Sequence, residues 1–144
     1  MTSIDLNADC ASCTALCCVA FELERSSSFA IDKPAGEPCA NLDGHRCSIH
    51  DELNERGFSG CAQFDCHGAG QRAHGDIARF FVLLEYHELL WAISRVLLLF
   101  PHAEELLRAR DELERASHVE PLSSSTRDDV QTLLRERLRY KRQR

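Results

Sequence analysis

Two adjacent cysteines, Cys17 and Cys18, close a run that already contains Cys10 and Cys13. Cys39, Cys47, Cys61 and Cys66 follow, and no cysteine lies beyond Cys66. Eight thiols in the first half of a 144-residue chain constrain the fold more than any other feature. They can be disulfides, metal ligands, a redox centre or buried small side chains. The opening "MTSIDLNADC" has no basic n-region and no apolar h-region, so no secretory signal is read there. The expected location is the cytoplasm, where thiols stay reduced. Metal or redox chemistry is then favoured over a disulfide framework, although the even count also fits disulfides.

The spacing narrows the chemistry. Cys10 and Cys13 form a C-x2-C pair, an ordinary chelating turn. Cys17 and Cys18 are less ordinary, because adjacent side chains diverge by about 100° on a helix and point to opposite faces of a strand. One reading has them feed two neighbouring sites. Another makes one a ligand and packs the other. A vicinal disulfide is a strained third. Eight thiolates fill two four-coordinate sites, or one closed site plus an open, chemically active one. His50 and His67 are candidate additional ligands, lying near Cys47 and directly after Cys66. His45 is a weaker candidate. For all three a surface or capping histidine is the commoner role.

The composition changes near Gly75, which divides a cysteine-rich lobe (residues 1–75) from a helical segment (76–144) within one structural domain. The lobe is rich in turn signals: "DKPAGEP", "GFSG" and "GAG". "VAFEL" (residues 19–23) alternates as a short strand would, and "SIHDELNERG" (48–57) reads as a short helix with Ser48 as its cap and Gly57 as its stop. So loop-rich a segment carries little apolar surface and needs a metal or crosslinks to fold.

Beyond Gly75, Asp76 is positioned to cap a helix from Ile77 to about Phe100, apolar around most of its circumference. Pro101 breaks it or starts the next helix. "HAEELLRARDELERA" (102–116) is amphipathic, with Leu106, Leu107, Ala109 and Leu113 on one side. "TRDD" (126–129) offers a capping box for a last helix to about Tyr140. The expected fold is mainly α: an irregular, metal-stabilised cysteine lobe packed on a small helical hairpin or bundle.

The net charge of −6 argues against a nucleic-acid-binding surface. Residues 135–144 hold six basic groups and one acid, which suits the C-terminal end of a helix dipole better than a nucleic acid, since no aromatic platform accompanies them. The stretch from Phe80 to Phe100 contains Glu85, His87, Glu88 and Arg95, so no membrane span is expected. A helix apolar on all sides in so short a chain suggests a homodimer through that segment. His87 and Glu88 lack the second histidine of a zincin motif, and His87 reads as a core residue. A Cys47–His50 nucleophile pair is feasible at that spacing, but metal ligation accounts for the other cysteines as well. "GAGQ" has no strand before it and is not read as a phosphate loop.

The order of these elements resembles a cysteine-cluster family described as zinc- or iron-chelating, the YkgJ type. Its pattern is carried here by Cys13, Cys17 and Cys18, by Cys39 with Leu42, by Cys47 with Ile49 and His50, and by Cys61 with Phe64. "DCASCTALCCVAF", "FAIDKPAGEPCANL", "RCSIHDELNERGFSGC", "FDCHGAGQ" and "HELLW" are similar to the N-terminal region of actinobacterial pentapeptide-repeat proteins, over roughly residues 9–100. This chain ends in helices and has no such repeats, so what belongs to the repeats does not carry over. Position 67 is His where an aromatic residue is expected. The resemblance implies metal chelation, and a related group with a flagellin lysine methylating enzyme makes catalysis conceivable.

Three functions follow as expectations. The leading one is an intracellular zinc-binding protein with a structural, interaction or metal-handling role. The second is an iron or iron–sulfur enzyme or redox protein whose active centre is the cysteine lobe. The third is a thiol–disulfide redox switch.

Overall fold

The computed structural model describes residues 3–142. Its elements in chain order are α1 (Leu16–Ala20), β1 (Leu42–Asp43), β2 (Arg46–Cys47), a 3-10 turn (His50–Glu52), α2 (Ser59–Gln63), α3 (Ala69–Arg72), α4 (Ile77–Leu97), α5 (Glu104–Ala116) and α6 (Ser124–Arg142). The fold is mainly helical, with one two-stranded sheet among the described residues. The chain divides into two compact units. One is Asn7–Phe80; the other joins the residues up to Leu6 with those from Phe81 onward. The division falls inside α4, five residues beyond the composition change at Gly75, and the first residues belong with the helical part.

In the helical unit, Tyr86, Leu89, Leu90, Ile93, Val96 and Leu97 of α4 pack with Leu106, Ala109 and Leu113 of α5 and Val130 and Leu134 of α6, and Ile4 and Leu6 lie against this core. The i, i+3, i+4 spacing on α5 and α6 puts these residues on one face of each helix. The Tyr86 hydroxyl donates to the carbonyl of Glu120 (3.1 Å), which satisfies the polar end of a buried ring. Burial, with the charges of Glu120 and Glu85 behind it, raises its pKa. The Asp76 carboxylate accepts the Arg79 N–H (2.9 Å), so the expected cap forms. α4 stops at Leu97, ahead of Pro101, and α5 starts only at Glu104. The last helix starts earlier than "TRDD" suggested. Ser123 supplies the cap, accepting the Thr126 N–H at 3.1 Å, because each extra residue wound on gains a backbone bond.

The unit Asn7–Phe80 is built differently. Its buried apolar residues among those described are Ala15, Leu16, Ala20, Leu23, Phe58, Ala69, Ala73 and Phe80, half of them alanine. Phe21 adds edge-on contacts with Phe64 (5.1 Å) and Phe80 (5.8 Å). The expected strand at residues 19–23 does not form. Ala15 takes a left-handed conformation (φ 58°) and launches α1 through Ala20, leaving only an isolated bridge between Leu23 and Lys33. The expected helix at 48–57 shrinks to one 3-10 turn, because the Ser48 hydroxyl donates to the Asn41 carbonyl (2.8 Å) instead of capping. β1 and β2 form a hairpin, Leu42 opposite Cys47, around a two-residue loop whose first member, Gly44, has φ +60°.

Candidate functional site

All eight cysteines lie in the unit Asn7–Phe80, and all are free thiols. Their positions follow from local devices. The Asp9 carboxylate accepts the Ala11 N–H (3.1 Å), the Ser12 N–H (3.3 Å) and the Ser12 hydroxyl (2.6 Å), folding the Cys10–Cys13 turn. The Ser12 hydroxyl leads in lowering the pKa of this exposed carboxyl. Gln71 ties the turn to α3: its Oε1 accepts the Asp9 N–H (3.3 Å) and its Nε2 donates to the Asn7 carbonyl (2.8 Å). One residue earlier, Gly70 leaves room for sulfur. A Cβ there would lie 2.8 Å from Cys13 Sγ and 3.6 Å from Cys66 Sγ. These two thiols, far apart in sequence, therefore converge on one point of α3.

Cys17 and Cys18 lie on α1, and the Cys18 carbonyl accepts the Cys39 N–H (2.9 Å). Cys47 is brought in by the hairpin and Cys61 by α2. α2 is seated against the loop before Ala30: the Gly60 N–H donates to the Ser28 carbonyl (3.1 Å), and a Cβ on Gly60 would lie 2.4 Å from the Phe29 ring. Each of the Cys17 and Cys18 thiols acts on the other's ionisation as a side-chain hydrogen-bond partner. That bond is the largest influence on both. It lowers Cys17 to about 7, helped by backbone N–H groups and by His50 and opposed by desolvation, and it pushes Cys18 up.

The thiols fall into two overlapping neighbourhoods. Burial, and then the charges of Cys17, Cys66 and Cys13, raise Cys10. Burial, and then the charges of Cys39, Cys17 and Cys47, raise Cys61. Cys47 and Cys39 also act on Cys18. Cys17 belongs to both groups. Such mutual effects operate over about a Debye length, roughly 8–10 Å. Coordination demands far closer approach, and among the described residues no group of three or more Cys, His, Asp or Glu side chains is arranged to hold a metal ion. The expected ligands are thus neighbours without a preformed coordination sphere.

The histidines differ. His50 begins the 3-10 turn, is exposed, has Nδ1 3.6 Å from the Asp51 carboxylate, and lies close enough to Cys17 to favour its thiolate when protonated. His67 has φ +48°, its N–H bonds the Asp65 carboxylate (2.7 Å), and its mostly covered ring has Nδ1 3.6 Å from the same oxygen. His45 is exposed in the hairpin loop. His87 is fully buried in α4. The reading of the sequence did not single out Asp9, Lys33, Gly70 or Gln71. Gly70 stands in a run that reads as a turn, and an aspartate one residue before a C-x2-C pair is the available signal for the Cys10–Cys13 turn.

No family model matches the chain, and no solved structure matches it. It is 35% identical over 136 residues to the "Uncharacterized protein YybG" of Bacillus subtilis (strain 168), covering 80% of this chain and 49% of that protein. The chain thus spans about half the length of this relative.

Proposed function

We propose that the unit Asn7–Phe80 binds a thiophilic metal ion, zinc by preference, and that the bound metal completes its fold. The observation that carries this reading is that one small unit holds eight free thiols from separate chain segments, with the Cys13 and Cys66 sulfurs meeting at Gly70 and the Cys39 N–H bonded to the Cys18 carbonyl. Two further features support it. The unit buries few large apolar side chains, and folds of that kind rely on crosslinks or metals. Burial, and then the charges of neighbouring thiolates, raise the Cys10 and Cys61 pKa values, and a divalent cation among them would reverse both effects. Cys10, Cys13, Cys17 and Cys66 would serve one centre and Cys18, Cys39, Cys47 and Cys61 another, with His50 and His67 at the margins. The role that follows is structural, interaction or metal handling.

The test is elemental analysis and an absorption spectrum on protein purified without oxygen or added metal. Zinc at one or two per chain, reduced in Cys18→Ser, Cys39→Ser and Cys61→Ser, is the expected result. Iron with visible bands would move the lobe to an iron or iron–sulfur centre. Full metal content in all three variants, or no metal with thiols that cycle reversibly to disulfides, would end the zinc assignment.

A separate feature supports self-association. No helix of the described residues is long and apolar enough to cross a membrane. α4 nevertheless exposes Phe81 and Trp91 (43%) along one stripe with Glu88 and Arg95, and Leu98 (70%) just beyond its end is exposed as well. Arg95 lies 5.9 Å from the centre of the Trp91 ring. A two-fold axis between residues 91 and 92 brings Glu88 of one chain to Arg95 of a second copy, so the stripe is complementary to itself. Sedimentation equilibrium should give a dimer that Arg95→Glu dissociates and Glu88→Arg with Arg95→Glu restores. A monomer at millimolar concentration would remove this interface.

A further inference from the structure

Between Cys18 and Cys39 the chain runs out, turns and comes back alongside itself. Leu23 and Lys33 exchange both backbone hydrogen bonds (2.8 and 2.9 Å). The Gly36 N–H donates to the Val19 carbonyl (2.9 Å) and the Cys39 N–H to the Cys18 carbonyl (2.9 Å). In the middle, the Lys33 side chain turns inward and is only 5% exposed. Its ammonium reaches four carbonyl oxygens: Val19 (3.2 Å), Phe21, Pro34 (2.9 Å) and Glu37 (2.8 Å). Two belong to the outgoing segment and two to the returning one. An ammonium has three N–H groups, so four acceptors use all of them with one shared.

A lysine is almost never fully buried, because stripping its charge of water is expensive. No carboxylate pairs with Lys33 among the ion pairs of the described residues. The four carbonyls compensate instead, and each would lack this partner without the ammonium. The cage is next to the thiols in sequence: Val19 follows Cys18, and Glu37 precedes Cys39 by two residues. From this geometry we propose that Lys33 is a positioning residue for the thiol cluster, its ammonium setting the spacing between the Cys17–Cys18 pair and Cys39. The inference rests on the reading that Cys18 and Cys39 serve one metal centre.

Lys33→Met keeps the length and removes every donor. Lys33→Ala removes the four terminal atoms and leaves a cage that n-propylammonium can refill. Three readouts separate the possibilities. In the reduced protein as purified, amide exchange at Gly36 and Cys39 should quicken at least tenfold in both variants, while α5 and α6 are unchanged. Alkylation rates of Cys18 and Cys39 should rise in the same samples. In titrations with cobalt(II), the thiolate-to-metal absorption should need at least tenfold more metal. Propylammonium should restore all three in Lys33→Ala, and tetramethylammonium, which has no N–H, should restore none.

Wild-type exchange, alkylation and cobalt affinity in Lys33→Met would overturn the proposal. So would a loop that opens while cobalt affinity holds, since Lys33 would then be a staple without influence on the thiols. If wild-type protein fails to bind cobalt, the metal reading falls, and exchange and alkylation still judge Lys33. If neither variant folds, refolding of Lys33→Ala with propylammonium decides: recovery supports the proposal, and failure overturns it.

Discussion

Stripping metal from the purified, reduced protein with a strong chelator is expected to abolish protection from amide exchange across Asn7–Phe80 and to leave α5 and α6 protected. The reasoning starts from what each unit buries. The helical unit assembles Tyr86, Leu90, Ile93, Leu106, Leu113 and their neighbours into one core, and each such side chain contributes about 1.5–3 kcal/mol on burial. In Asn7–Phe80 the large buried apolar residues are Leu16, Leu23, Phe58 and Phe80. Its regular elements are helices of four or five residues, a two-residue hairpin and a 3-10 turn, apart from the start of α4. Each residue held in such loops costs about 1–2 kcal/mol of backbone entropy. Metal binding in small thiolate-rich domains supplies about 10–16 kcal/mol, enough to decide whether a unit of this kind folds. The most informative amide is that of Cys39, bonded to the Cys18 carbonyl between two thiol-bearing segments. If it exchanges equally slowly with and without chelator, the unit does not depend on metal for its fold.

The two units were unequally legible in the sequence, for a physical reason. Helices α4 to α6 carry repeating apolar faces over many residues, and repetition averages out local exceptions. α5 was expected at 102–116 and runs Glu104–Ala116. Asp76 caps α4 as its position implied. Errors in this half are confined to ends, where "SSSTRDD" offers several equivalent hydroxyls and the earliest one in the run caps. In the other half each element is too short to average anything. "VAFEL" has an alternation that a strand requires, yet a single left-handed residue, Ala15, commits its first half to α1. "SIHDELNERG" has helical signals, yet one hydroxyl bond from Ser48 to Asn41 diverts its start. Lys33 was invisible because lysine in a Pro/Gly-rich stretch reads as solvated surface. Only the fold reveals four carbonyls facing its ammonium. The cysteines were legible as a set, since their number and spacing survive any local error. Their partition into neighbourhoods sharing Cys17 was not.

Gly70→Ala is expected to weaken metal binding through the position of a single sulfur. Gly70 lies within α3, where alanine is the better helix former by about 0.5–1 kcal/mol. The added methyl would meet Cys13 Sγ at 2.8 Å and Cys66 Sγ at 3.6 Å. The nearer atom is the end of a one-bond side chain, so the cheapest relief is rotation of Cys13 about χ1. That moves a sulfur without moving backbone, so the methyl itself costs the packed protein only about 1 kcal/mol, the low end for an added group. For metal binding the same rotation removes a ligand, so affinity at the Cys10, Cys13 and Cys66 end should fall at least tenfold. Cys13→Ser provides the control. It removes the thiolate and shortens the bond to the colliding atom, so Gly70→Ala should add little on top of it. In a double-mutant cycle the two losses should overlap almost completely. Cobalt(II) titration of the four proteins measures this. Wild-type affinity in Gly70→Ala would mean that Cys13 is not a ligand. Losses that add in full would mean that Gly70 acts through some other part of the unit.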